Sequence, residues 1–137
     1  MKRVSIKEIR PADHEHQVVT VTGGKGAFRK KPCRGCPWVE ENAGTFPAEA
    51  FRLSANTACD MAQKQFACHE SGTNKPATCA GFLLRGADHN LSVRMARLKG
   101  ERFMGLAPDE RALFADYRAM AIGNGVPADD PAIRDCR

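Results

Sequence analysis

The residues here with the clearest chemistry are cysteines: six occur, and four of them have the spacing and setting of metal ligands. Cys33-Arg34-Gly35-Cys36 is a CxxC element. Two thiolates so spaced can face one ion, because the tight turn between them brings both sulfurs to one side and Gly35 gives that turn its backbone freedom. Cys68 follows Cys36 after 31 intervening residues, and Cys79 follows Cys68 after 10. Both sit beside turn-forming residues, at the ends of the stretch FACHESGTNKPAT over 66–78, where a ligand can be aimed inward. Together they predict one metal centre with Cys33, Cys36, Cys68 and Cys79 as ligands. His69 directly follows Cys68. Adjacent residues seldom ligate one ion together, so His69 reads as a substitute for Cys68 or as a donor to a ligand sulfur. Cys59, inside a predicted helix, is a weaker candidate, and Cys136, in the tail, is read as a non-ligand.

Four thiolates in tetrahedral array suit zinc and a 4Fe-4S cluster alike. The long gap between Cys68 and Cys79 is loose for a zinc ribbon. Pro37 directly after Cys36 matches bacterial ferredoxin runs, and Trp38 could shield a cluster. Structural sites are more often zinc, so zinc is put first and the cluster is kept open. A redox CxxC fits less well, since thioredoxin-like motifs lie in a βαβ pattern that this sequence lacks. The bland alternative is a set of small buried hydrophobes, because free cysteine packs well in cores.

The order CRGCPW at 33–38, FACH at 66–69 and CAG at 79–81 resembles an uncharacterised family of small phage and prophage proteins that share CxxCP plus an aromatic, then a CH pair, then CAG. The resemblance spans roughly residues 31–86. It implies metal binding by the same four cysteines with His69 nearby, a phage or prophage origin, and a role in modulating host machinery. It carries no established activity. Many members have an Arg just after the aromatic, where this chain has Val39.

The elements that must position these cysteines are short. RVSIKEI at 3–9 and QVVTVT at 17–22 read as strands of a β-ribbon, joined by a polar turn. Pro47 and Glu49 mark a helix start, with a helix over about 47–64 broken near Asn56-Thr57 and Phe51, Ala55, Ala58 and Ala62 on one face. Asp88 or Asn90 caps a helix over 91–99 with Leu91, Met95 and Leu98 buried. Pro108-Asp109-Glu110 opens a helix over about 108–122, striped by Leu113, Phe114, Tyr117 and Met120 and ended by Gly123. The expected fold is α+β: a small single domain with an N-terminal β-ribbon and three or four helices around a four-cysteine metal centre. Its parts are a ribbon and basic loop (1–30), the cysteine region (31–86), a helical part (87–123) and a loose tail (124–137).

The chain has 137 residues and a formal net charge of +5. Lys25, Arg29, Lys30, Lys31 and Arg34 form a basic loop, and Arg94, Arg97 and Lys99, followed by Arg102, a basic helix face. Such groups can bind backbone phosphates without sequence preference, and Phe28 could stack on a base. Two separate solvated patches are the plainer reading. His14 and His16 pair without an evident third ligand and read as an exposed polar loop. No apolar run is long enough for a membrane span and no secretory leader is evident, so a cytoplasmic protein is expected, in the host cell if phage encoded. Six cysteines in that compartment argue for metal over disulfides. No GxSxG, HExxH or acid pair is present. A deaminase-like order (His14-Glu15, then Pro32-Cys33-Arg34-Gly35-Cys36) fails on the His-to-Glu spacing and on the strand and loop that stand where a helix is required. The sequence therefore predicts a metal-binding accessory module for nucleic acid or a host protein. An iron–sulfur redox or sensor protein is the alternative, and a metal-dependent enzyme comes last, because four cysteines leave no open coordination position.

Overall fold

In a computed structural model the described residues are 27–67, 77–107 and 110–136, together with the backbone of 5–11 and 17–22. The described residues form a small single domain with four short α-helices and little strand. Two strands, β1 (Ser5–Pro11) and β2 (Gln17–Thr22), pair antiparallel with Ser5 opposite Thr22 and Pro11 opposite Gln17. The register shifts between Ile6 and Glu8.

The first helix, α1 (Ala48–Ser54), is shorter than its sequence pattern predicts. Ser54 turns its hydroxyl back to the Ala50 carbonyl at 2.9 Å, and Thr57 does the same to the Ser54 carbonyl at 2.9 Å. This back-bonding competes with the helical ladder, and the chain continues as a 3-10 turn over Ala55–Thr57. Met61 then takes a left-handed φ of 60°. The predicted face nevertheless goes inward: Phe51, Ala55, Ala58 and Ala62 are all buried.

Helix α2 (Ala80–Arg85) starts directly after Cys79 and is held beneath the indole of Trp38. Helix α3 (Leu91–Leu98) is capped by Asn90, whose carbonyl oxygen accepts from Val93 N at 3.1 Å. The Asn90 amide donates to the Thr57 and Lys64 carbonyls at 3.3 and 2.8 Å. That fully buried cap fixes the rotation of α3. Val93 faces the core, while Met95 (44% exposed) and Leu98 (81%) face solvent, which corrects the expected buried face.

The last helix, α4 (Tyr117–Gly123), begins well after Pro108. Residues 112–114 are used otherwise: Leu113 bridges Val39, Glu40 N donates to Ala112 O, and Phe114 N donates to Trp38 O. Asp116 is the actual cap, accepting from Ala119 N at 2.7 Å. Gly123 closes the helix against Phe114, and Asn124 follows as the cap. The tail is not loose. Val126, Ile133 and Cys136 are buried, a 3-10 turn over Pro131–Ile133 packs against α1, and Asp130 accepts a hydrogen bond from Arg52 Nε at 2.8 Å.

The core gathers around Trp38, which is fully buried. Phe66, Phe82 and Tyr117 surround it with ring centroids at 5.9, 6.4 and 6.0 Å. One Trp, one Tyr and seven Phe are few for this length, and four of them are concentrated at this one point. Such rings bury much apolar area each, with further stabilisation from edge-to-face contact.

Candidate metal centre and basic surface

The site sits at the edge of that core. Cys36 is two residues before Trp38, and Cys79 immediately precedes α2, so the packing of Trp38 on α2 draws the two cysteines together from 43 positions apart. Their sulfurs lie 3.7 Å apart, both buried. Cys33 closes the CxxC turn through the Cys36 N to Cys33 O bond at 3.1 Å. The Cys33 side chain acts most strongly on the Cys36 thiol and lowers its pKa. The hydrogen bond with Cys79, burial and repulsion between the two sulfurs outweigh it, and the thiol is pushed up to about 12. Of the four predicted ligands, Cys36 and Cys79 are thus in thiol contact, and Cys33 belongs to the same turn as Cys36. Among the described residues no group of three or more ligating side chains is arranged to hold an ion. Cys68 and His69 lie outside the described residues, as do His14, His16 and Lys25.

The chain leading to Cys68 is tied to the same place. Phe66 stacks on Phe82, its carbonyl accepts from Cys79 N at 2.8 Å, and Ala67 bridges Thr78.

Two side chains that the sequence reading missed hold the CxxC loop. Arg111 donates to the carbonyls of Arg34 at 2.8 Å and Cys33 at 3.0 Å. Asn42 donates to the carbonyls of Arg34 at 3.0 Å and Cys36 at 2.9 Å. Carbonyls that a tight turn leaves without a ladder partner are thereby satisfied, and the turn is fixed from two sides. No local pattern marks either residue, and Arg111 falls inside the segment predicted to be helical.

Cys59 is not part of this cluster. It bridges Cys136 instead.

The predicted basic residues fall into two sets joined by Phe103. The loop set meets it through Phe28, edge-on at 5.1 Å. The helix set meets it through Arg97, whose guanidinium carbon is 5.9 Å from the ring centroid. Lys30 lies along Gly105 and accepts from Ala107 N at 2.9 Å through its carbonyl. Lys30, Lys31, Arg34, Arg94, Arg97, Lys99 and Arg102 are exposed. Arg29 is half-buried, and its Nε has no partner among the described residues. Arg97 also pairs with Asp88 at 3.3 Å. An open depression next to Phe103 is lined by Gln65, Thr78, Lys99 and Arg102. No helix of the described residues is long and apolar enough to cross a membrane.

Searches of curated proteins and of solved structures return no match. A family profile covers residues 28–137, which takes in the CxxC element, the whole aromatic core and the packed tail, and on that match the chain belongs to a family of unknown function, DUF6283.

Proposed function

We propose that this protein is a zinc-centred binding module whose metal is held by Cys33, Cys36, Cys68 and Cys79 and whose basic surface engages nucleic acid. The observation that carries the metal assignment is the 3.7 Å separation of the Cys36 and Cys79 sulfurs. Zinc–sulfur bonds of about 2.3 Å at tetrahedral angles place neighbouring sulfurs about 3.8 Å apart. A four-iron cluster binds each thiolate to a separate iron and holds the sulfurs further apart, so the geometry favours a single ion. The donor set also fits. Cys36 and Cys79 are soft ligands in contact, Cys33 lies in the same turn as Cys36, and the chain at Phe66–Ala67 approaches Cys79 just before Cys68. Zinc would supply charge neutralisation for buried thiolates and a cross-link between the CxxC loop and α2, and so part of the folding free energy. His69 is an alternate ligand or a donor to a sulfur in this reading.

Nucleic acid is favoured as the partner because Phe103 joins the basic loop to the basic face of α3. Phosphate contacts from both sets would give sequence-independent affinity. The phage or prophage origin, the host-cell cytoplasm as its compartment, and a host protein as the alternative partner belong to the same proposal and rest on the sequence.

Metal content and a visible spectrum on protein purified without oxygen test the centre. About one zinc per chain without colour is expected. About four irons with a brown absorbance would overturn it and make the protein a cluster protein. For the surface, fluorescence anisotropy with a labelled single strand should show affinity that falls steeply with salt and is weakened by Lys99→Glu together with Arg102→Glu. Negligible affinity at low salt would remove the nucleic-acid reading and favour a protein partner.

A further inference from the structure

The two cysteines left out of the metal centre face each other. Cys59, just past the end of α1, and Cys136, next to the C-terminus, form an isolated antiparallel bridge. Residues opposed in such a bridge stand about 4.5–5.5 Å apart between Cα atoms. A disulfide spans about 4.4–6.8 Å. The thiols are close enough to act on each other: burial is the main cause that pushes Cys136 up to about 11, and the neighbouring Cys59 is the next. Cys136 Sγ lies 3.5 Å from Ala55 O, and Cys59 Sγ lies 3.9 Å from Asn56 O, so both are fixed by backbone of the same turn. None of the groups acting on Cys136 belongs to the metal thiols, and none acting on Cys36 belongs to this pair.

We infer that Cys59 and Cys136 are a dithiol–disulfide pair that locks the C-terminal tail onto the end of α1 when the surroundings become oxidising. Access exists from one side, where an open depression is lined by Cys59, Asp60, Arg134, Asp135 and Cys136. Cys59 is half-buried and Cys136 buried, so Cys59 meets an incoming oxidant first. With glutathione disulfide as oxidant, the Cys59 thiolate attacks one of its sulfurs, a mixed disulfide forms, and one glutathione thiolate leaves. Cys136 then gives its proton to solvent and attacks the Cys59 sulfur, releasing the second glutathione. The two protein thiols are oxidised, and one glutathione disulfide becomes two glutathiones. The bond closes a loop of 76 intervening residues. A loop that long constrains the unfolded chain strongly. It also holds Ile133 in the core, since the tail turn packs on α1.

The experiment equilibrates the full-length protein, with its metal as purified, in glutathione buffers from reducing to oxidising. Thiols are then alkylated and peptides mapped. A cross-linked peptide joining Cys59 to Cys136 is expected while Cys33, Cys36 and Cys79 stay alkylatable or metal-bound. The melting temperature should rise by several degrees in the oxidised wild type and stay unchanged by oxidation in Cys59→Ser and in the less disruptive Cys136→Ala. Glutathione remaining on Cys59 or Cys136, pairing of either with a metal-site cysteine, or no reaction across the series would each overturn the inference. The mapping is read on the wild type, so the result stands even if a variant folds poorly.

Discussion

Gly81 supports the contact between Trp38 and α2, and an added methyl there tests the coupling of core to the proposed metal centre. A Cβ at Gly81 would fall 2.5 Å from Trp38 Cβ and 2.7 Å from its Cγ. The Trp38 Cβ is fixed by the backbone, so no rotamer change moves it, and the Cγ roots a fully buried ring that has no room to swing. At its far end the same indole meets Gly86, where a Cβ would clash with Cη2. The ring is therefore held at both ends and cannot tilt. Gly81→Ala raises helix propensity by at most about 1 kcal/mol. Overpacking of an unyielding core typically costs about 1–3 kcal/mol, and this contact belongs at the upper end of that range. The net expectation is a loss of about 1–2 kcal/mol, or roughly 4–8 °C in melting temperature for a domain of this size. Relief can come only from α2 moving off the Trp38 segment, which separates Cys79 from Cys36. Zinc competition with a chromophoric chelator should therefore show weaker binding in Gly81→Ala. Gly123→Ala is the control. Its Cβ would meet the edge of the Phe114 ring at 2.6 Å, the movable end of a partly exposed side chain, and it should cost less and leave zinc affinity unchanged. A Gly81→Ala protein that melts with the wild type and binds zinc equally would refute the coupling.

Three further outcomes are expected. Arg111→Met should weaken zinc binding about tenfold in the same competition assay, because the CxxC carbonyls lose their fork-shaped donor, and Arg111→Lys should not restore it. Asp130 is held below the usual carboxylate range by Arg52 and by the Ala132 N–H, so its contribution is present above about pH 4 and lost as the pH falls through the folded value. Thermal melts should accordingly show Asp130→Asn less stable than wild type near neutrality, with the gap closing as the pH falls below about 4. Tyr117 donates its hydroxyl to Phe51 O and lies 2.7 Å from Ser54 Oγ, so Tyr117→Phe should cost about 1–2 kcal/mol by urea titration. Burial pushes its phenol well above the usual value, so above about pH 10 the unfolded chain ionises while the folded one resists, and the alkaline fall in stability should be shallower in Tyr117→Phe.

Periodicity and cysteine spacing carried part of this structure. Phe51, Ala55, Ala58 and Ala62 were correctly grouped on one inward face, although the helix that suggested the grouping stops at Ser54. Asn90 was readable as a cap because its position before an apolar periodic run is a local signal. The start of α4 was not readable. Pro108-Asp109-Glu110 is a fair local signal, yet residues 112–114 are claimed by a distant partner, the strand-like stretch at Trp38–Glu40, and no local preference reports that. The same holds for the burial of Ile133 and Cys136, in a tail whose Pro and Asp content suggests a loose end. Pairing of Cys33 with Cys36 was visible from spacing, and the approach of Cys79 was expected from chemistry. Arg111 and Asn42 act through backbone carbonyls, which leave no trace in the side-chain pattern.

These long-range contacts converge on one short segment. From Pro32 to Glu40 the chain supplies two of the proposed ligands, the central ring of the core and a bridge to residues 112–114. Each use constrains the others. Trp38 cannot turn without moving Gly81 and Gly86, and α2 cannot move without carrying Cys79. Arg111 and Asn42 hold the CxxC carbonyls through contacts that need no ion. The site's backbone is therefore shaped by the aromatic core, and a bound ion would join two segments that packing has already brought within bonding geometry. On this view metal removal should loosen the Cys33–Cys36 and Cys79 ends while the Trp38–Tyr117–Phe82 cluster keeps its packing. Near-ultraviolet circular dichroism on the chelated protein checks this: a retained tryptophan signal fits a preformed core, and its complete loss would show that the ion, not the aromatic cluster, organises the fold.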